Sequence, residues 1–301
     1  MAFIAATALI LDALIGWPAW LYQRVGHPVT WLGRLISALD TRMNQGEGRR
    51  GKGLVASLLV IGAAVVPAVI AQVILGPWVA AVLAWPLIAA RSLDDHLRAV
   101  AAPLRAGDLA GARLAVSMIV GRDVSNSDEP AIARASLESL AENASDGVIA
   151  PLFWAAVFGL PGIAAYKAIN TLDSMIGHRT PRHEEFGNFA ARLDDVVNLI
   201  PARLTALLIA LAAMSRRAAS CAWTDAAAHR SPNAGWPEGA MAGALGVRLS
   251  GPRVYGSHIS QEPWLNGTAP DPRANDLQRG IVLYRRAVGI AAVLLVLAAY
   301  I

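Results

Sequence analysis

Apolar residues are gathered into blocks along this chain rather than spaced through it. Leu54 to Ala90 passes 37 positions without an Asp, Glu, Lys or Arg, Gly147 to Tyr166 another 20, and Ala287 to Ile301 a final 15. Crossing a hydrocarbon core about 30 Å thick takes roughly 20 apolar residues of helix. The pattern therefore predicts an all-α, polytopic integral membrane protein. Six apolar segments are read: 2–20, 54–75, 77–90, 148–169, 199–214 and 287–301. They are unequal. Gly76-Pro77 divides the second from the third, and 54–90 reads as a helical hairpin. Segment 148–169 is broken by Gly159-Leu160-Pro161-Gly162, a stop-and-turn signal. It reads either as a span or as a re-entrant pair of half-helices, which membranes tolerate where protein shields the backbone. Pro201 and Arg203 weaken 199–214, so the expected crossings number four to six.

Between these blocks lie long polar segments, 21–53, 91–146, 170–198 and 215–286, and the whole of 1–301 reads as one membrane-embedded domain. Leu32, Leu35, Ile36 and Leu39 fall at helical spacing beside Trp31 and Arg34, which predicts an interfacial amphipathic helix. Arg91 to Leu104 continues as a helix, a second starts after Gly107-Asp108, and Ser127 or Asp128 caps a third with Pro130 in its first turn, running to a stop at Gly147. No strand pattern persists. Ser231 to Gly267 reads as an ordered loop with short helical pieces.

Composition sharpens this picture. The chain is 55% hydrophobic and only 16% charged, whereas soluble domains carry about a quarter charged residues. A net charge of +4 and a pI near 9.6 raise the question of nucleic acid. The cations, however, are arginines scattered over every polar segment, with Lys52 and Lys167 the only lysines. A basic stripe with interleaved aromatics is missing, so no nucleic-acid partner is expected; arginine flanking apolar spans is a topology signal. Cys221, the single cysteine, excludes an intrachain disulfide and a cysteine-built metal site. Met1 to Trp20 has the apolar length of a signal peptide but no basic start, and it carries Asp12. It reads as an uncleaved first transmembrane helix with Asp12 turned toward other helices.

Four polar constellations remain. Arg134, Glu138, Glu142 and Asp146 recur every four residues, with Asn143 one position round. They read either as a solvated face in which Arg134 balances Glu138, or as hard oxygen ligands for Mg²⁺ at a polar–apolar boundary. Lys167, Asn170, Thr171 and Ser174 share one helix face with Asp173 beside it, a face suited to phosphate through Lys167 and to a metal or amine through Asp173. Asp194, Asp195 and Asn198 form an acid pair with a neighbouring amide before Arg203. Ser231-Pro232-Asn233 through Glu238 and the small residues to Gly246 let backbone approach a ligand closely, without the Gly-Lys-Ser/Thr element of a P-loop. His178 and His183, five apart around Pro181, match no zinc spacing and read as a surface loop.

Together these stretches resemble the cobalamin-biosynthesis family called CbiB in one pathway and CobD in the other, the adenosylcobinamide-phosphate synthases. The likeness runs over nearly the whole chain: Asp12 to Pro18 with His27-Pro28-Val29, Glu142-Asn143-Ala144-Ser145-Asp146-Gly147, Tyr166 through Met175, Ala191-Arg192-Leu193-Asp194-Asp195 to Arg203, and Ser231-Pro232-Asn233 through Gly246. His178 after Gly177 and Ser250 before Pro252 depart from the family pattern. The resemblance implies an ATP-dependent ligase that joins the propionate carboxylate of adenosylcobyric acid to aminopropanol or aminopropanol phosphate.

On that resemblance, residue chemistry assigns Glu142, Asn143 and Asp146 to Mg²⁺-ATP, with Asp173 sharing the metal. Lys167 and Arg203 are expected on phosphates, Asn170, Asn233 and Glu238 on substrate, and Asp194 or Asp195 as proton acceptor or ligand of a second metal. Water-soluble substrates place the site on the cytoplasmic face of the inner membrane, which requires the broken-helix topology or an equivalent detour near 199–214. The rival class is a membrane transporter or signalling protein without turnover, since polar faces beside a broken helix also build transporter sites.

Overall fold

The computed structural model describes residues 1–255, 258–260 and 262–300. In chain order the helices are α1 Ala2–Ile15, α2 Ala19–Val25, α3 Pro28–Met43, α4 Arg49–Ala84, α5 Ala90–Arg105, α6 Leu109–Ser117, α7 Glu129–Asn143, α8 Ala150–Phe158, α9 Leu160–Ile176, α10 Asn188–Val197, α11 Leu199–Ala213, α12 Arg216–Asp225, α13 Gly235–Leu245 and α14 Ala274–Ala299. Two short antiparallel ladders, β1 Leu249–Ser250 with β4 Trp264–Leu265 and β2 Arg253–Tyr255 with β3 His258–Ser260, interrupt the all-helical expectation. The protein is an all-α polytopic membrane protein. Two helical stretches, within Arg49–Arg105 and Ala274–Ala299, are long and apolar enough to cross a membrane. Counting the bent pairs α1 with α2–α3 and α10 with α11 as single spans gives four.

The chain forms two compact units, one from 1–89, 150–198 and 292–301, the other from 90–149 and 199–291. In the first unit the apolar faces of α3, α4, α9 and α10 meet in a core of Ile36, Ala56, Val60, Leu172, Ile176 and Phe186. Leu32, Leu35 and Leu39 pack against it. The amphipathic face of α3 is therefore covered by protein, not laid on lipid as its sequence alone suggests.

Helix α4 breaks where Gly76-Pro77 predicts, at Gly76 with φ 77° and ψ 179°. Beyond the break Phe3 of α1 stacks edge-on against Trp78 at 4.5 Å, and Trp85 Nε1 donates to the Gly16 carbonyl at 3.0 Å. The second leg thus runs beside α1 from its start to its end. The Gly159 turn, φ 70°, folds α9 back on α8, and there the backbone N–H of Leu160 donates to Gln72 Oε1 at 2.7 Å.

In the second unit Asp108 and Asp128 cap α6 and α7, as read from the chain. The helix does not stop at Gly147; it widens into a π turn over Ala144–Ile149, a feature frequent at functional sites. The stretch read as a loop from Ser231 holds a full helix, α13, whose Gly239 and Gly243 let it pack on the backbone of α12.

Backbone contact of this kind is testable in α4. A Cβ at Gly53 would fall 1.8 Å from the Phe186 carbonyl oxygen, while one at Gly62 meets nothing within 4 Å. Gly53→Ala is expected to lower stability by about 1–3 kcal/mol, as overpacking does, and Gly62→Ala to leave it level or slightly raised. Thermal unfolding of the two variants in one detergent checks the pair.

Candidate functional site

The first unit buries a polar chain that starts in α9. Tyr166 donates its hydroxyl to Asn198 Oδ1 at 2.9 Å, and Asn198 Nδ2 donates to Asp194 Oδ2 at 2.9 Å. All three side chains are buried. The other carboxylate oxygen of Asp194, Oδ1, is enclosed without a hydrogen bond of good geometry. Asp173 and Asn170 of α9 and Asp195 of α10 lie close enough to act on it electrostatically. Burial, reinforced by the Asp195 carboxylate, pushes Asp173 above the ordinary carboxylate range, against the pull of His178.

Three acids expected from their spacing are thus gathered in one unit. His178 and Arg179, read as surface loop, are exposed yet stand beside Asp173 and Asp195 respectively. His183 lies against Asp40 at 3.4 Å, which also takes two bonds from Arg182. The hydroxyls of the predicted polar face turn inward on their own helix: Thr171 donates to the Lys167 carbonyl and Ser174 to that of Asn170. Lys167 sits one turn before Asn170 on α9.

The second unit holds the other expected residues. Glu142 and Asn143 are exposed at the end of α7 and Asp146 is half-buried in the π turn. Asn143 Nδ2 donates to the carbonyl and the hydroxyl of Ser139, so its amide oxygen stays available as an acceptor. Among the described residues no three His, Cys, Asp or Glu side chains group as a metal cage. The donor set is two carboxylates and an amide oxygen, which fits Mg²⁺, an ion that usually takes one or two carboxylates and fills its shell with phosphate oxygens and water.

Glu138 does not belong to a solvated face balanced by Arg134. It is buried, paired with Arg122 at 2.8 Å and accepting from the Ser250 backbone at 2.8 Å, so the odd Ser250 hands its N–H to this acid. Arg134 instead lies over Trp264 at 4.8 Å and pairs with Asp271. Arg248 covers the same ring at 4.3 Å. Its bidentate hydrogen bonds to Asp271 hold that carboxyl below the usual range.

Arg203 and Asn233 do meet: Nη1 donates to Asn233 Oδ1 and to the Leu199 carbonyl, each at 3.0 Å. The guanidinium also lies 4.6 Å over Trp236. Glu238, expected on substrate, is 1% exposed and set against His229, Nε2 to Oε1 3.7 Å. His229 was not legible as its partner, because eight residues and a helix start separate them in the sequence.

Buried carboxylates near helix ends, a π turn with a half-buried acid and apolar helices define a polytopic membrane protein with ionisable groups kept inside it, the usual mark of function there. A sequence profile described as CobD/Cbib protein matches residues 5–284, and the chain belongs to that family. It is 60% identical to the cobalamin biosynthesis protein CobD of Rhodobacter capsulatus, over 97% of this chain and 98% of that protein. The proteins of the same name from Rhizobium meliloti and Brucella suis are each 46% identical, over 95% and 93% of this chain and 93% and 91% of their own lengths. No solved structure matches the chain.

The mutual repulsion of the first-unit acids gives a direct test. Asp195→Asn removes one neighbouring negative charge, so the Asp173 pKa is expected to fall toward, but not reach, its ordinary value, burial remaining. A carboxyl-carbon NMR titration of wild type and variant reads the shift.

Proposed function

We propose that the chain is an acid–amine ligase of cobalamin biosynthesis, joining the propionate carboxylate of adenosylcobyric acid to aminopropanol or its O-phosphate at the expense of ATP. The supporting observation is the enclosed Asp194 oxygen beside Asp173 and Asp195, in a chain whose relatives are named cobalamin biosynthesis proteins. A carboxylate does not react with an amine at neutral pH until one of its oxygens becomes a leaving group. In the proposed reaction that oxygen attacks the γ-phosphorus of ATP, giving an acyl phosphate and ADP. The amine then attacks the acyl carbon, the C–O bond to phosphate breaks, and amide, phosphate and a proton result.

Phosphoryl transfer is mostly positioning and charge neutralisation, which needs no nucleophile from the protein. Glu142, Asn143 and Asp146 of the second unit would hold Mg²⁺; when bound, that ion neutralises charge on the transferring phosphoryl group. Lys167 and Arg203 would bind phosphate oxygens, Arg203 being oriented by Asn233 and stacked on Trp236. Asp194 or Asp195 would take the ammonium proton, and the bonds from Tyr166 through Asn198 fix the orientation of Asp194 while leaving Oδ1 to receive it. Asn170 would contact the amine. Glu238, enclosed against His229, would support the Asn233 turn instead of touching substrate. Water-soluble substrates place this chemistry on the cytoplasmic face of the inner membrane.

Membranes holding the protein, given adenosylcobyric acid, ATP, Mg²⁺ and aminopropanol phosphate, should yield the amide and ADP. Folded protein that yields neither would overturn the ligase reading in favour of transport or signalling. Glu142→Gln and Asp146→Asn should each lower turnover by about a hundredfold or more, the scale of a lost metal contact, with membrane insertion intact. Unchanged turnover removes them from the metal site.

A further inference from the structure

On the second unit, away from the acids assigned above, α14 borders an open groove of about 320 Å³ with Ala213 at the end of α11 and Ala244 and Leu245 at the end of α13. The α14 wall is Arg279, Val282, Leu283 and Arg286, with Gln278 beside them. These four recur at i, i+3, i+4 and i+7 and so form one helix face. Arg285, the neighbouring cation, is spent on Asp94 in a bidentate pair, and Arg279 on Asp276 through one nitrogen. Arg286 has no ion pair or hydrogen bond among the described residues.

The same face continues past the last charge of the helix. At Gly289 a Cβ would meet nothing within 4 Å, and Val282, two turns earlier on that face, is 37% exposed. Leu211 and Met214 at the end of α11 are exposed apolar neighbours of the groove in sequence. Two guanidinium groups at the mouth of a groove, with an open notch along the same helix face and exposed apolar side chains beside them, match an anionic head joined to an acyl chain. Free phosphate would use the first part and leave the second idle. A snorkelling arginine needs no groove.

We propose that this groove is a binding site for an anionic phospholipid, its phosphodiester on Arg279, Arg286 and Gln278 and one acyl chain against Val282 and the notch at Gly289. Basic pockets between membrane helices on the headgroup side bind such lipids, each cation contributing roughly a fivefold factor in affinity. Neither the lipid nor its site depends on the ligase reading.

The test uses the purified full chain in neutral detergent, with phosphatidylglycerol, phosphatidylcholine or inorganic phosphate added, and reads bound lipid by native mass spectrometry and melting temperature by intrinsic fluorescence. Phosphatidylglycerol is expected to bind and raise the melting temperature; phosphatidylcholine and inorganic phosphate are not. The Arg279→Gln, Arg286→Gln double variant should bind phosphatidylglycerol about thirtyfold more weakly, the product of the two single factors, and melt like wild type in phosphatidylcholine. Bulk added at Gly289 (Gly289→Leu) should weaken binding with both arginines in place. Equal gains from inorganic phosphate, or unchanged phosphatidylglycerol binding by the double variant, would overturn the proposal. So would a double variant destabilised equally in every condition, which would make the arginines counter-charges to the carbonyl ends of α11 and α13 and nothing more.

Discussion

A backbone N–H or C=O released from a helix inside an apolar body has no water to bond, and leaving it unmet costs several kcal/mol. This protein breaks its helices repeatedly, and at each of three breaks a side chain from elsewhere in the chain meets the freed group. Trp85 serves the Gly16 carbonyl after α1, Gln72 the Leu160 amide before α9 and Trp154 the Val197 carbonyl at the end of α10; Tyr284 adds a bond to the Ala90 carbonyl in the first turn of α5. The indole N–H, amide and phenol are suited to this: each brings one polar tip on a body that packs as a hydrophobe. The Trp154 bond adjoins the acids: Val197 immediately precedes Asn198, which donates to Asp194.

Once the breaks are tolerated, polar residues can be held at helix ends instead of midway along spans. Asp194 and Asn198 sit at the last turn of α10, in reach of Tyr166 on α9. An unpaired carboxylate oxygen enclosed by protein is a costly arrangement to keep, and the neighbouring Asp173 and Asp195 make it costlier. Their shared demand is for a positive charge, which the proposed reaction brings in the form of a protonated amine or a metal.

Much of the architecture was legible because its signals are local. Gly76-Pro77 and Gly159 through Gly162 mark the turns by their own backbone preferences, and Asp108 and Asp128 announce the helix starts that follow them. Spacing also joined Asp194, Asp195 and Asn198, though not their approach to Asp173 of α9. What escaped depends on distant partners. The α3 face reads the same whether lipid or α4 and α9 will cover it, and Glu138 looks solvated until Arg122 and the Ser250 amide are brought to it. The enclosure of Glu238 against His229 likewise has no local signal. The ordered stretch after Ser231 hid α13 because its many glycines, poor helix formers alone, are retained for close packing on α12.

The two units alternate along the polypeptide, each beginning, ceding the chain to the other and resuming. No single cut separates them, so neither can be expressed as a simple fragment or exchanged as a cassette between relatives. During synthesis the opening 89 residues wait for 150–198 and then for 292–301 before their unit is whole. Biogenesis of this membrane protein is thereby tied to nearly full-length translation, and a truncated message yields no self-sufficient half.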